Sequence, residues 1–259
     1  MKLLSKYKNL VVSGCSFTSN FPAKPKEPWN WPNMIADWSG MHIYNLAIPG
    51  AGNSHISKSI KLFLSTNKLS PEDTLVIVMW SGIGRIDFIT DPSLSNFKSS
   101  YPFIYDYFAN KAELSLGGNW WNIRNPSNIQ KLIIEYSKYQ SDYTLAVESF
   151  LEMSSLNNFL QTANYKNYQT SFCNYNRLSE LKGDACVVDY WTVLKELNLS
   201  LDTSNWIPFD ETDYYGNWAR KNNLIDPYDD CHPYKDAPER WPKEILIPYL
   251  IKENILYYE

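Results

Sequence analysis

The chain has 259 residues, which is enough for one domain with a large buried core, and we expect a single domain over residues 1–259. It carries 24 Lys and Arg residues against 28 Asp and Glu residues, a formal net charge of -4, and has no block of basic residues. Because a protein that neutralises a phosphate backbone needs clustered basic side chains, we expect no nucleic acid partner. No run approaches the roughly 18 consecutive apolar residues of a membrane span, so we expect no membrane partner.

The first apolar run leads into LVVSGCSFTSN, residues 10–20. Within it, VSGC resembles the signal that precedes a lipidated bacterial cysteine, but the apolar residues before it are far fewer than the roughly 7 to 15 of a signal peptide. We therefore expect a cytoplasmic or otherwise soluble protein without a signal peptide. The four cysteines form no CxxC pair, and a chain of this size needs no disulfides, so we expect reduced thiols.

Three short apolar runs rich in β-branched residues predict buried strands. They are KNLVVSG at residues 8–14, HIYNLA at residues 42–47 and TLVIVMW at residues 74–80. Each is followed by glycine or polar residues that end the run. We expect these strands to lie in one sheet.

Two helices are predicted between these strands. WPNMIADW, residues 31–38, has Pro32 in its first turn, where proline is tolerated. A second helix begins near Asn53 and ends before LSPED, and its apolar face consists of Ile56, Ile60, Phe63 and Leu64. The alternation predicts an α/β fold, a three-layer α/β/α domain with a mostly parallel, flavodoxin-like sheet.

After residue 88 the regular alternation stops, which indicates a large mid-chain insertion. Residues 91–125 are rich in Pro, Ser, Asn, Gly and aromatic residues without a period, and they predict an irregular, aromatic-rich segment. A helical pattern follows over residues 127–162, with a break near Ser141 or Ser154 as the alternative to one continuous helix.

Two further elements are predicted towards the end of the chain. YQTSFCNY, residues 168–175, predicts a fourth strand, and KEILIPYLIKENI, residues 243–255, predicts a closing helix bent at Pro248. Ligands of parallel sheets bind at the carboxyl ends of the strands. Three polar segments that contain glycine follow the first three predicted strands, namely GCSFT, IPGAGNS and WSGIGR, and we expect the ligand site among them.

Ser16, in GCSFT, can act as a nucleophile only if a base takes its proton. The chain has three histidines, and we expect His42 and His55 to be structural because neither has a carboxylate within a few residues. Asp229 precedes His232 by three residues, a spacing that can bring the carboxylate onto the imidazole Nδ1–H and leave Nε2 as the base. Ser16, His232 and Asp229 are therefore predicted to form a catalytic triad.

These segments resemble the motifs of the SGNH (GDSL-like) hydrolase superfamily. The resemblance lies in GCSFT after the first strand, the glycine of IPGAGNS after the second strand, and DDCHP, residues 229–233, before the last helix. It covers about residues 8–88 and 226–255 in the order of the family. It implies the family's fold and a serine hydrolase mechanism that needs no cofactor.

The resemblance also implies a role for each matching residue. Ser16 takes the position of the nucleophile, and its own backbone N–H that of one oxyanion donor. Gly50 takes the position of the second oxyanion donor. His232 takes the position of the base, and Asp229 that of the carboxylate that orients it.

One donor of the family is missing from this chain. The family's third oxyanion donor is an asparagine in a G-x-N-D motif after the third strand, where this chain reads MWSGIGRID, residues 79–87. Three groups can take its place: the Asn53 amide and the Ser81 hydroxyl, which we prefer without choosing between them, and the Gly82 N–H. Loss of one such donor lowers turnover by about 10²–10³-fold, so the replacement matters.

Two other roles remain open for the GCSFT segment. The Ser16 hydroxyl can cap a following helix, and Cys15 can serve as the nucleophile in place of the serine. Adjacent residues of an extended segment point to opposite sides, so only one of the two side chains can face His232. The resemblance selects Ser16.

Charged and aromatic residues offer candidates for ligand contacts. Arg85 either binds an anionic substrate group or, as we prefer, pairs with an acid such as Asp87. Asp226, Asp229 and Asp230 supply too few oxygens for a cation site, so we expect no metal. With ten Trp and nineteen Tyr, aromatic rings either line a cleft or pack an irregular insertion. The rings considered for substrate contact are Trp80, Trp120, Trp121, Trp206, Tyr214, Tyr215 and Trp218.

The expected function is that of a serine esterase or deacylase acting on a small-molecule or glycan ester, with an O-acylated carbohydrate as the candidate. Two alternatives stay open. One is a non-catalytic carbohydrate-binding or structural protein on the same fold, for example in a phage particle. The other is an acyltransferase that uses a sugar hydroxyl as acceptor. The sequence does not fix the oligomeric state.

Overall fold

The computed structural model contains a central parallel sheet of four strands. It describes residues 3–19, 30–49, 51–82, 87–90, 114–117, 142–172, 190–207, 214–225, 233 and 236–259. The four strands are β2 (Asn9–Ser13), β3 (His42–Asn45), β4 (Thr74–Trp80) and β7 (Lys166–Ser171), and neighbours pair in the order β3-β2-β4-β7. The predicted α/β fold class with a mostly parallel sheet is confirmed.

Burial explains why the apolar runs form the centre of this sheet. All seven residues of β4 are buried, and β2 is buried from Leu10 to Ser13. Strands of parallel sheets are typically buried on both faces and therefore read as continuous apolar runs. A short segment extends the sheet beyond β7, because the Gln169 N–H donates to the Asn205 carbonyl (3.0 Å) and the Ile207 N–H donates to the Gln169 carbonyl (2.9 Å).

The two helices predicted between the first strands are α1 (Trp31–Ser39) and α2 (Asn53–Asn67). α1 begins after Asn30, whose side-chain oxygen accepts a hydrogen bond from the Asn33 N–H, and it ends at Gly40, whose φ of 72° suits a residue without Cβ. The predicted apolar face of α2 is buried in the structure, through Ile56, Ile60, Phe63 and Leu64. Both predicted helices are confirmed.

Three helices follow in the second half of the chain. They are α3 (Asp142–Thr162), α4 (Tyr190–Glu196) and α5 (Tyr215–Lys221). α3 lies within the predicted helical region, packs against α2 and continues through Ser154 without a break. Residues 127–141, with the alternative break at Ser141, lie outside the described residues.

A separate two-stranded antiparallel sheet pairs β5 (Asp87–Thr90) with β6 (Leu114–Gly117). β6 belongs to the segment 91–125 that the sequence predicts to be irregular, and the rest of that segment lies outside the described residues. The strand was missed because four residues are too few to show a two-residue alternation.

The closing helix begins earlier than the sequence predicts. α6 (Ala237–Trp241) continues through a π-helical turn, Pro242–Leu246, into α7 (Ile247–Lys252). In the π turn the Ile247 N–H donates to the Pro242 carbonyl. Pro248 follows, and because its nitrogen carries no hydrogen, it cannot continue the α-helical bonding pattern. The irregularity predicted at Pro248 therefore lies in the preceding turn.

The two ends of the described chain lie side by side. β8 (Leu256–Tyr258) pairs antiparallel with β1 (Leu3–Ser5), and the Lys6 N–H donates to the Ile255 carbonyl at 3.0 Å. The end of the chain thus lies next to the residues that lead into β2. Within the described ranges, no helix is both long and apolar enough to cross a membrane.

Candidate active site

Ser16 lies in a tight turn directly after β2, at the carboxyl end of a central strand. The N–H groups of Thr18 and Ser19 both donate to the Cys15 carbonyl at 2.9 Å and close the turn. Gly14 leads into it, and a Cβ at this position would lie 2.7 Å from the Thr18 Cβ and 3.1 Å from the Met79 carbonyl oxygen of β4. A residue other than glycine would therefore clash with the Thr18 side chain of the turn itself and crowd β4, so the turn would have to shift.

Three side chains hold the backbone of the Ser16 turn from outside. The Trp31 Nε1–H donates to the Phe17 carbonyl at 3.1 Å. The Thr18 carbonyl accepts from the side-chain amides of Asn30 (2.7 Å) and Asn45 (2.8 Å). Because these donors come from the start of α1 and the end of β3, two neighbouring elements fix the turn. A nucleophile held on such a supported turn is pre-organised for reaction.

The structure separates the two candidate nucleophiles of the turn. Cys15 is fully buried in the hydrophobic core, whereas Ser16 is partly exposed between buried neighbours. The alternative of Cys15 as the nucleophile is therefore wrong, because its thiol cannot meet a substrate. The cap of α1 is Asn30, so Ser16 does not cap that helix.

Asn53 joins the end of β4 to two helices. As the first residue of α2 it is buried, with 3% of its surface exposed. Its Oδ1 accepts a hydrogen bond from the Ser81 N–H (2.9 Å), and its Nδ2 donates to the Ser149 Oγ of α3 (3.1 Å). Both ends of the carboxamide are thus engaged within the protein. Ser81, the other preferred replacement for the missing donor, is fully buried.

Gly82 follows Ser81 and differs from it in hydrogen bonding. The residue is buried, and its N–H donates to no acceptor in the described part of the chain. A Cβ at this position would lie 3.8 Å from the nearest atom, the Cε1 of Phe172, which is an ordinary contact. The N–H of Gly82 is thus a buried donor at the carboxyl end of β4 that the described residues leave unsatisfied.

Asp87 holds the start of α2, a role that the sequence reasoning missed. Its carboxylate accepts from the Gly52 N–H and the His55 N–H, both at 2.7 Å. Gly52, which precedes the helix, has no side chain to cap it, and this lack was the available signal that a distant residue must do so. The predicted pairing of Asp87 with Arg85 cannot be described, since Arg85 lies outside the described residues.

The two histidines expected to be structural have different surroundings. His55 is 5% exposed, and its burial lowers the pKa of the imidazole, while the Asp87 carboxylate and a hydrogen bond with the Leu46 backbone act in the opposite direction. His42 is exposed at the start of β3, where its ring packs edge-on against Tyr44 at 4.6 Å between centroids.

Several predicted site residues lie outside the described part of the chain. They are Gly50, Arg85, Trp120, Trp121, Asp226, Asp229, Asp230 and His232. Pro233, next to His232, is described, and it forms an antiparallel bridge with Ile225, the residue that follows α5 by a short turn. His232 is therefore the sequence neighbour of a residue that pairs with the chain just after α5.

A chain of aromatic contacts connects the closing helix with the Ser16 turn. Trp241 of α6 stacks on Tyr215 of α5 with centroids 4.8 Å apart. Tyr215 contacts Phe17 edge-on at 6.2 Å, and Phe17 packs on Phe172, just past β7, at 4.7 Å. Since Phe17 is the residue after Ser16, both α5 and α6 lie close to the turn. The segment that contains His232 runs between these two helices in the sequence.

The described tryptophans proposed for substrate contact are core residues instead. Trp80 is fully buried in β4, and its Nε1–H donates to the Gln169 Oε1 at 2.8 Å. Trp218 is 4% exposed and lies beneath the Arg240 guanidinium, 5.4 Å from the ring centroid. The prediction that these two rings contact a substrate is wrong, because both side chains are buried. Trp206 and Tyr215 are buried as well.

Comparison with known proteins returns similarities of structure. No protein-family model matches the chain, and neither does any curated protein. The chain is similar to a psychrotrophic esterase from Pseudoalteromonas sp., solved with monoethylphosphonate as inhibitor, at 11% identity and a TM-score of 0.47 over 95% of this chain and 98% of the esterase. It is also similar to a member of the lipolytic G-D-S-L family from Veillonella parvula, at 8% identity and a TM-score of 0.45 over 94% of this chain and 96% of that protein. Both are similarities of structure at low sequence identity.

Proposed function

We propose that the protein is a serine hydrolase that cleaves a carboxylic ester through Ser16. The observation that carries the proposal is the burial pattern of the Ser16 turn, in which a partly exposed serine lies among buried residues at the carboxyl end of a central parallel strand. Hydrogen bonds from Trp31, Asn30 and Asn45 support the turn from two neighbouring elements. This is the edge of the sheet where ligands of such folds bind.

The proposed mechanism has two steps. Ser16 Oγ attacks the acyl carbonyl while His232 Nε2 takes the serine proton, and collapse of the tetrahedral intermediate expels the alcohol, which receives that proton. Water then attacks the acyl-enzyme with His232 again as the base, and this releases the acid and restores Ser16. Asp229 accepts the Nδ1–H of His232 and stabilises the imidazolium. The backbone N–H groups of Ser16 and Gly50 are the proposed oxyanion donors.

The proposed substrate is an ester, with an O-acylated glycan as the candidate natural class. Of the tryptophans considered from the sequence, Trp80, Trp206 and Trp218 are buried, so Trp120 and Trp121 remain as candidates for contact with a sugar ring. Transfer of the acyl group to a sugar hydroxyl uses the same acyl-enzyme, and product analysis with and without an acceptor glycan distinguishes it from hydrolysis. The absent G-x-N-D asparagine favours, as the second candidate, a non-catalytic protein that binds glycans.

Turnover of p-nitrophenyl acetate tests the nucleophile. Ser16→Ala removes the attacking oxygen, and we expect kcat/KM to fall by at least about 10³-fold, since removal of the serine of a triad leaves only residual catalysis. Cys15→Ala is the matched control, because this neighbour points into the core, and we expect its activity to stay within about threefold of the wild type. Thermal unfolding of each variant checks that the fold is retained. Wild-type turnover by Ser16→Ala would contradict the proposal.

A further inference from the structure

The end of β4 lies directly beside the Ser16 turn. In the parallel pairing of β2 with β4, Ser13 is opposite Val78. Ser16 lies three residues past Ser13, and Gly82 lies four residues past Val78, so both follow the carboxyl ends of adjacent strands. The close approach of Gly14 to the Met79 carbonyl shows that the two backbones remain in contact where they leave the sheet.

Asn53 fixes the Trp80–Ser81 peptide, the one before the peptide that carries the Gly82 N–H. Its Oδ1 accepts from the Ser81 N–H at 2.9 Å, and its Nδ2 donates to the Ser149 Oγ at 3.1 Å. The Ser81 N–H orients the amide, because a reversed amide would place its NH₂ group against this N–H, whereas the Ser149 hydroxyl can donate or accept. Asn53 and Ser149 are 3% and 5% exposed, so water does not compete for these bonds. The start of α2 and the middle of α3 therefore hold the end of β4 in one arrangement.

The N–H of Gly82 is the donor that this arrangement leaves unused. Buried backbone N–H groups without an acceptor are rare in native proteins, because leaving such a group without a partner is unfavourable. None of the described residues accepts a hydrogen bond from Gly82, although the residue itself is buried. An oxygen atom of a bound molecule can accept the hydrogen bond of the Gly82 N–H. A substrate oxygen bound at Ser16 is such an acceptor, since it carries negative charge in the tetrahedral intermediate.

We propose that the Gly82 N–H is the third oxyanion donor and that Asn53 is the positioning residue that holds it in place. The proposal rests on the proposed esterase activity and replaces both groups preferred from the sequence, the Asn53 amide and the Ser81 hydroxyl. A backbone donor held by a buried side-chain clamp needs no reorganisation during the reaction, which is the property that makes oxyanion stabilisation effective.

An amide-to-ester replacement at position 82 tests the donor. Incorporation of lactic acid at this position gives a protein that differs from the Gly82→Ala variant only by an ester oxygen in place of the N–H. A methyl side chain at this position has room, because its carbon would lie 3.8 Å from Phe172. We expect kcat for p-nitrophenyl acetate to be about 10²–10³-fold lower in the ester than in the Gly82→Ala variant, as for loss of one oxyanion donor. The melting temperature should not change, because the ester removes no hydrogen bond among the residues that the structure describes.

The outcomes at position 82 separate the two proposals. Equal kcat in the ester and the Gly82→Ala variant, with Ser16→Ala inactive, would overturn the donor role of Gly82 and leave the esterase intact. A bound water as the acceptor of this N–H would give that same result. Absence of turnover in the wild-type protein would overturn the esterase and, with it, the role of Gly82.

Variants of Asn53 test the positioning role. Asn53→Asp keeps an oxygen for the Ser81 N–H, and the Ser149 hydroxyl can donate to the second oxygen, so we expect it to retain most of the activity that Asn53→Ala loses. Asn53→Ala and Ser149→Ala should lower kcat with little change in KM, by up to the 10²–10³-fold that one donor contributes. If the Asn53 amide itself donated to the oxyanion, Asn53→Asp would be at least as impaired as Asn53→Ala, and this result would overturn the positioning role.

Discussion

The turn after β2 shows how closely single residues are specified. The structure places Cys15 in the core and leaves Ser16 partly exposed, as expected for two neighbours of which only one can face the site, although the segment is a turn and not extended. The need for Gly14 arises mainly within the turn, because a Cβ at this position would clash with the Thr18 side chain. The Met79 carbonyl of β4 adds a close contact at 3.1 Å. Local sequence indicates that a turn follows the strand, and the way the turn folds back on itself and packs on β4 decides which residue it tolerates.

Gly14→Ala should destabilise the protein, because its Cβ would lie 2.7 Å from the Thr18 Cβ and 3.1 Å from the Met79 carbonyl oxygen. We expect the free energy of unfolding to fall by about 1–3 kcal/mol, as for overpacking of a closely packed site. Gly82→Ala is the matched control, since its Cβ would make only an ordinary contact at 3.8 Å. Urea denaturation of both variants measures the difference. Equal midpoints would show that the Gly14 turn accepts a Cβ.

At the scale of elements, α2 combines a predictable face with an unpredictable start. Its apolar positions recur at helical spacing, and all of them are buried. Its first turn is held by the Asp87 carboxylate, which accepts from the Gly52 and His55 N–H groups. No local motif shows this contact, because Asp87 begins another strand after the intervening β4. The hydrogen bonds of the Asn53 amide with Ser81 and Ser149 likewise form only in the folded protein, where α2, α3 and the end of β4 meet.

The buried His55 should make stability depend on pH. Burial lowers its pKa and nearby Lys58 adds to this, while Asp87 and a hydrogen bond with the Leu46 backbone oppose it. The unfolded chain then binds the His55 proton more readily than the folded protein. The free energy of unfolding should therefore fall as the pH drops below about 6.5, the ordinary pKa of histidine, and level off below the folded-state value.

Denaturation with urea between pH 7.5 and pH 5 tests this dependence. We expect His55→Gln to flatten the decrease in stability at acidic pH, because the titrating group is removed. His42→Gln is the control. Because His42 is exposed, this substitution should leave the decrease in stability at acidic pH as it is in the wild type. A His55→Gln protein whose stability falls with pH as steeply as that of His42→Gln would show that His55 does not contribute.

At the scale of the whole molecule, local patterns predicted the central sheet but not what surrounds it. Three strands of the sheet follow from short apolar runs, and α2 follows from its helical spacing of apolar residues. The pairing of β1 with β8 was not predictable, because both strands are too short for a pattern and they lie at opposite ends of the chain. Trp80 and Trp218 were misassigned because the residues that cover them, among them Gln169 and Arg240, come from other elements.

The helices on either side of the predicted base in the sequence lie close to the Ser16 turn. α6 reaches the turn through the stacking of Trp241 on Tyr215 and the contact of Tyr215 with Phe17. The DDCHP motif lies between α5 and α6 in the sequence, and its last residue, Pro233, pairs with Ile225 just after α5. The proposed triad requires His232, which lies outside the described residues, to reach Ser16.

Labelling with a fluorophosphonate probe, followed by peptide mapping, tests the triad most directly, because the reagent reacts fastest with a serine whose proton a neighbouring base removes. We predict a single adduct on Ser16 in the native protein, with labelling strongly slowed in His232→Ala and Asp229→Ala and abolished by unfolding. A native protein that stays unlabelled under conditions that label a known serine hydrolase, or an adduct on another residue, would contradict the assignment of Ser16 as an activated nucleophile.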